Sequence, residues 1–210
     1  MKETRQRSGG WSTYRVVFIA MMAAIIYVLT LFRFPLGGSK VHFANAACLL
    51  AGLLFGPVSG GLAAGIGSGL YDLLNGYGID EALITTVSKF LMAFICAVIA
   101  GAHRAESLDT QGAAGFRALY GALWKRSPRI IVGSAVGALS YVALYMLKTF
   151  VYQRFVYGYP ADAVLVTMGT KLPASLINAV FALLVAPVLF AALWPALKRA
   201  GVMEKLTVNS

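Results

Sequence analysis

The sequence predicts an all-α integral membrane protein with six transmembrane helices, a short second span and both termini in the cytoplasm. Three observations carry that expectation. The 210-residue chain is 59% hydrophobic and only 12% charged, whereas a soluble domain carries about 25% charged residues. Its apolar residues fall in long runs, of the length needed to cross about 30 Å of hydrocarbon. Its basic residues gather in the connections expected on one side, as cytoplasmic loops require. The net charge of +10 is therefore read as membrane topology, and nucleic acid is set aside as a partner.

The expected organisation is a cytoplasmic tail over 1–13, one six-helix membrane domain over 14–198 and a second cytoplasmic tail over 199–210. The N-terminal segment stays polar for too long to be the n-region of a signal peptide and has no small-residue cleavage site after a short apolar core. The first apolar run, 14–32, is therefore read as a retained span. Arg33, Pro35 and the Gly37-Gly38 pair end it, and 36–43 is expected to be a polar loop or short re-entrant piece. The second span, 45–55, is short. The third, 58–74, is rich in glycine, and Gly56-Pro57 between them predicts a tight hairpin. Asn75 to Gly78 make a loop, after which Asp80 and Glu81 open the fourth span, where the helix dipole favours acids. That span covers 82–102. The longest polar connection, 103–129, follows on the cytoplasmic side, and 113–124 within it is expected to form an amphipathic interfacial helix. The fifth span is 130–152. The sixth, 163–197, is too long for one straight crossing, and kinks are expected at Pro173 and Pro187.

Three lysines stand inside these spans: Lys89, Lys148 and Lys171. A charge at a helix centre costs roughly 2.5–3.5 kcal/mol on insertion scales. Threaded through a bilayer with both termini inside, all three fall toward the outer face. For Lys148, snorkelling to the interface and a place in a pocket are both open. For Lys89 and Lys171 a water-accessible pocket is the better reading. Asp72 would partly neutralise such a cluster. Asn75, Tyr77, Tyr145, Asn178 and His42 are further candidates for contact with a solute, against the alternatives of an interfacial aromatic belt, interhelical hydrogen bonds and plain loop placement. The cluster predicts capture of a negatively charged solute from outside.

Small residues mark close helix contacts. Gly61, Gly65 and Gly69 recur every four residues and are read as internal packing. Ala20 and Ala24 make a second small pair, on the first span, where a partner protein is a serious option. Cys48 and Cys96 lie in apolar runs with no metal spacing and no disulfide framework, and are read as small buried hydrophobes. No P-loop, His-Glu-x-x-His or Gly-x-Ser-x-Gly motif is present, and Asp72 is the only acid placed within a span. Enzymatic chemistry is therefore not expected, and no cofactor or metal is implied.

The stretch from Asn45 through Leu54, Gly56-Pro57 and Gly60-Gly61 to Ser68 resembles the second and third spans of S components of energy-coupling factor (ECF) transporters. The Ala20-x-x-x-Ala24 pair is similar to the first-helix motif by which S components dock on a transmembrane T component. The run from Lys171-Leu-Pro173 to Asn178 is similar to their sixth span. The resemblance covers residues 14–198. It implies a multi-pass protein of a prokaryotic plasma membrane that binds a vitamin-like solute in an outward-facing cavity. The 33–43 loop would act as lid. The T component and two ATPases would supply the energy. With the lysines, the expected solute is a carboxylate such as pantothenate, a folate-like molecule or a phosphorylated compound. A stand-alone secondary transporter and a membrane scaffold subunit are the alternatives. The first would show internal repeats, and the second would bind no solute.

Overall fold

The computed structural model describes residues 12–36, 39–101 and 116–202. Most of both tails, His103 and the opening half of the 103–129 connection lie outside those residues. Among the described residues, five helices are long and apolar enough to cross a membrane.

Helix α1 (Thr13–Leu31) starts at Ser12, whose hydroxyl accepts a hydrogen bond from the Arg15 amide at 3.2 Å, the usual way of satisfying an orphan donor. Its inner face buries Ile19, Met22, Ala23 and Ile26. The chain then forms an antiparallel β-hairpin, β1 (Arg33–Leu36) and β2 (Ser39–His42). Arg33 pairs with His42, Phe34 with Val41 and Pro35 with Lys40. This corrects the expected polar loop. The strands are four residues each, too short to display a convincing alternation.

Helix α2 (Ala44–Leu74) is broken at Gly56, at φ 80° and ψ −177°, a backbone conformation open to glycine and costly to other residues. Pro57 follows, in the first turn of the next arm, where its missing N–H costs nothing. The two arms fold back on each other. Cys48 Sγ lies 3.8 Å from Ser68 Oγ, although 20 residues of straight helix would span roughly 30 Å. The expected hairpin is therefore present. In the first arm every residue from Ala44 to Leu54 is buried, the signature of a helix enclosed on all sides. It can be short because protein, not lipid, surrounds it.

Helix α3 (Ile79–Ala100) packs most extensively on α2. A Cβ added at Gly61 would meet the Phe90 ring at 2.8 Å, and one at Gly65 the Thr86 carbonyl at 2.7 Å. The glycine row thus faces α3, as the internal-packing reading expected. Helix α4 (Phe116–Arg126) occupies much of the expected interfacial segment, with Leu123 fully buried and Trp124 exposed. Helix α5 (Pro128–Val151) ends in a wide π-type turn over Tyr152–Val156. Helix α6 (Ala161–Arg199) runs through Pro173 and Pro187 as one 39-residue helix, roughly 58 Å at 1.5 Å per residue, so it overhangs a bilayer core. Helices α3, α5 and α6 pack in sequence, and α6 returns against α2 and β2. Both free cysteines, Cys48 and Cys96, are fully buried.

Candidate functional site

The helices and the hairpin enclose a cavity of about 350 Å³. That is within the range of roughly 300–1,000 Å³ for small-molecule sites. Its walls follow helical periodicity. Tyr141, Tyr145 and Lys148 come from one face of α5, Lys171, Ser175 and Asn178 from one face of α6, and Glu81, Thr85, Ser88 and Lys89 from α3. Positions three and four apart share a helix face, so each helix presents a polar stripe within an apolar span.

The three lysines therefore meet in one place, with different surroundings. Lys89 is 3% exposed. Its amine donates to Asn45 Oδ1 and sits 3.5 Å from the centroid of the Tyr141 ring. Lys148 pairs with Glu81 across α5 and α3, the salt bridge found between described residues. Lys171 lies 5.9 Å from the Tyr145 ring centroid. Asp72, Tyr77, Tyr145, Asn178 and His42 also line the cavity; Asn75 does not. The Asn75 side-chain amide instead donates to the Tyr71 carbonyl at 2.9 Å, tying it to the end of its own helix.

Asn178 holds the hairpin down. Its Oδ1 accepts from the His42 backbone N–H at 2.9 Å, and its Nδ2 donates to the Lys40 carbonyl at 2.8 Å. An amide side chain can do both at once, so it treats β2 as a neighbouring strand would. The His42 Nδ1 is buried without a hydrogen-bond partner among the described residues. Burial first, then the charges of Lys89 and Arg33, push its imidazole down to about 3. At physiological pH the ring is neutral and offers the cavity a vacant polar atom.

Several lining residues had escaped the sequence reading. Arg33 and Lys40, on β1 and β2, both donate to the Tyr77 hydroxyl at 2.8 Å. The Arg33 guanidinium also lies 5.0 Å from the ring centroid of Tyr71, a contact of cation–π type. The hydrogen bond from Lys40, reinforced by Arg33, holds the Tyr77 phenol below its usual range. Glu81 was read as a helix-opening acid alone, and the Tyr141–Tyr145–Lys148 spacing was the signal that could have found Tyr141. In all, the lining carries five basic side chains and two carboxylates.

Ala20 and Ala24 are both exposed, one turn apart on the outer face of α1. Their neighbour Ala23 points inward, with its backbone against Gly67 of α2.

Residues 10–194 match the family model described as "ECF-type riboflavin transporter, S component". A solved structure described as "Structure and mechanism of the S component of a bacterial ECF transporter" shares the fold at a TM-score of 0.56. Its sequence identity is 18%, with 89% of this chain and 96% of that chain covered. No curated protein matches the chain. The family match spans most of the sequence, and the chain belongs to the ECF-type riboflavin transporter S components, multi-pass membrane subunits that bind a small-molecule substrate and work with a T component and ATPases.

Proposed function

We propose that this chain captures a small vitamin-like solute bearing a carboxylate or phosphate, from outside a prokaryotic cell, for import by an ECF complex. On this reading the two arms of α2 count as separate crossings, six in all, so both termini share one side; the basic connections assign that side to the cytoplasm and the cavity to the exterior. The observation that carries the reading is the lining: Arg33, Lys40, Lys89, Lys148 and Lys171 reach one cavity from five different elements, against Asp72 and Glu81. Chance placement of isolated charges in separate spans would leave them apart or at the lipid interface. Charged groups at membrane depth are retained mainly where they line a solute path.

The family is named for riboflavin, whose flat ring suits the tyrosines Tyr71, Tyr77, Tyr141 and Tyr145 that face the same space. The cationic lining asks in addition for negative charge or dense acceptor oxygens. Lys89 on α3 and Lys171 on α6 supply the cationic donors for that group, while Lys148 is already engaged by Glu81. Ala20 and Ala24, exposed on α1, form the docking face for the T component, which carries the two ATPases.

The test is a thermal-shift and calorimetric comparison of the purified chain with riboflavin, flavin mononucleotide, pantothenate and folate. A ligand that binds only the native form raises the melting temperature by mass action. An anionic member should bind best, and Lys89→Gln and Lys171→Gln should each weaken it about tenfold or more, the scale of a hydrogen bond to a charged group. Equal affinity of both variants and the wild type for every solute would refute the reading.

A further inference from the structure

Two cations at the cavity mouth share one neutral oxygen. Arg33 Nη1 and Lys40 Nζ each lie 2.8 Å from the Tyr77 hydroxyl, so the two nitrogens are at most twice that distance apart. The hairpin register enforces this: Arg33 pairs with His42 and Lys40 with Pro35, which sets the two basic residues diagonally across the strands. Between described residues, neither makes a salt bridge to a carboxylate. Like charges held this close repel, and a phenol oxygen offsets that only through its dipole. An anionic oxygen in the same position would be held by charge-assisted hydrogen bonds, roughly twice as strong as neutral ones.

The residue between them sits in a glycine-flanked loop. Tyr77 stands between Gly76 at φ 77° and Gly78 at φ 94°, and a Cβ at Gly76 would find open space. Tyr77 is 39% exposed. Arg33 also lies against the buried Tyr71 ring, and Asn178 fixes the backbone of β2 at Lys40, so the strands that carry both cations stay in place without the phenol. Removing the phenol oxygen leaves a fork of two donors facing the cavity.

We propose that Arg33 and Lys40 form an anion subsite at the cavity mouth, at the position of the Tyr77 hydroxyl, which a carboxylate or phosphate oxygen of the solute displaces. Tyr77 is then an internal competitor as well as a latch on the hairpin. This rests on the solute-capture reading above and adds to it where the negative group sits. It also makes the site discriminate: a neutral solute leaves the latch closed, whereas an anionic one opens it and takes its place. Apparent affinity is reduced by the fraction of molecules in which the competing contact is made.

The probe is inorganic phosphate, titrated into the detergent-purified full chain at constant ionic strength with chloride as reference, and read as a thermal shift. Tyr77→Phe keeps the ring and removes the oxygen. It should lower the half-saturating phosphate concentration about tenfold or more, the range for a hydrogen bond between a neutral and a charged group. That gain should vanish when Arg33→Gln and Lys40→Gln are added. Lys40→Arg, which keeps the charge, should retain most of it. Unchanged or weaker phosphate binding in Tyr77→Phe, or a gain that persists without Arg33 and Lys40, overturns the subsite. The ratio of flavin mononucleotide to riboflavin affinity provides a second readout, rising in Tyr77→Phe if the phosphate lodges there. Solute capture itself fails separately, if phosphate behaves as stated but no vitamin binds.

Discussion

Asn178→Leu should free the hairpin without unfolding the helices. The substitution is close to isosteric and sits in an otherwise apolar stretch of α6, so the helix itself has no reason to change. What disappears is the acceptor for the His42 N–H and the donor to the Lys40 carbonyl. A buried backbone group left unpaired costs about 1–3 kcal/mol. Both groups border a cavity that water can reach, so the lower end applies, about 1 kcal/mol each and about 2 kcal/mol together. At 1.4 kcal/mol per tenfold, the docking equilibrium of the hairpin shifts by about 30-fold. The direct assay is amide hydrogen exchange on the purified protein. The His42 amide should exchange about 10- to 30-fold faster in the variant, while the amides of α3 and α5 keep their protection, as expected of local rather than global opening. Solute affinity should fall by up to the same factor if the hairpin closes over the solute. Ser175→Ala is the control: it lines the same cavity, but its hydroxyl donates to the Lys171 carbonyl within α6, so it should leave hairpin exchange unchanged. An unaltered His42 amide in Asn178→Leu would show that the side chain does not hold the strand, and the lid argument would fall with it.

Three further outcomes are expected. Gly52→Ala pushes a methyl group into the Ala93 backbone; with main chain on both sides nothing yields cheaply, so about 1–3 kcal/mol should be lost, seen as a melting temperature lower by several degrees. Ala24→Leu, on the exposed face of α1, should leave melting temperature and solute affinity intact but abolish co-purification with the T component; a stable complex would remove α1 from the docking face. His42 gives a pH signature. Its folded value lies near 3 against 6.5 unfolded, so below pH 6.5 the unfolded chain binds the extra proton and stability falls as pH drops toward 3. The limiting slope is about 1.4 kcal/mol per pH unit, discounted because part of the residue is reached by solvent. The melting temperature of wild type should therefore fall more than that of His42→Gln between pH 7 and 5, and parallel curves would contradict it.

The spans were legible because bilayer thickness and composition leave little choice. The fold-back at Gly56-Pro57 was legible too, since only glycine readily takes that backbone and only a helix start tolerates the proline so well. The lysines were visible as insertion costs. What escaped was cooperative. Each strand of the hairpin is too short to show a period, although Gly37-Gly38 between Leu36 and Ser39 is a hairpin signal in its own right. Arg33 was read as the end of the first span and Lys40 fell in the expected loop, because their convergence on Tyr77 depends on the register of β1 against β2. Asn75 pointed the wrong way for a reason invisible in spacing: its amide finds a nearer partner in the Tyr71 carbonyl. Glu81 looked complete as a dipole-stabilising acid, and nothing local announced that α5 would bring Lys148 to it.

The distribution of partners around the cavity separates a site from a scaffold. A fold selected only for stability pairs its inward charges with carboxylates or replaces them with apolar residues, which is often the more stable solution. Here Lys148 is paired, with Glu81. Lys89 rests on an amide and a ring face, Lys171 near a ring, and Arg33 and Lys40 on one phenol. These partners lessen the cost of cationic nitrogens at membrane depth, and with Asp72 and Glu81 as the carboxylates of the lining the five cations are only partly neutralised. The same choice recurs on the hairpin, α3 and α6, elements that share no local sequence pattern. An arrangement that repeatedly stops short of neutralisation, around a space large enough for a small molecule, is what the proposed capture of an anionic solute requires.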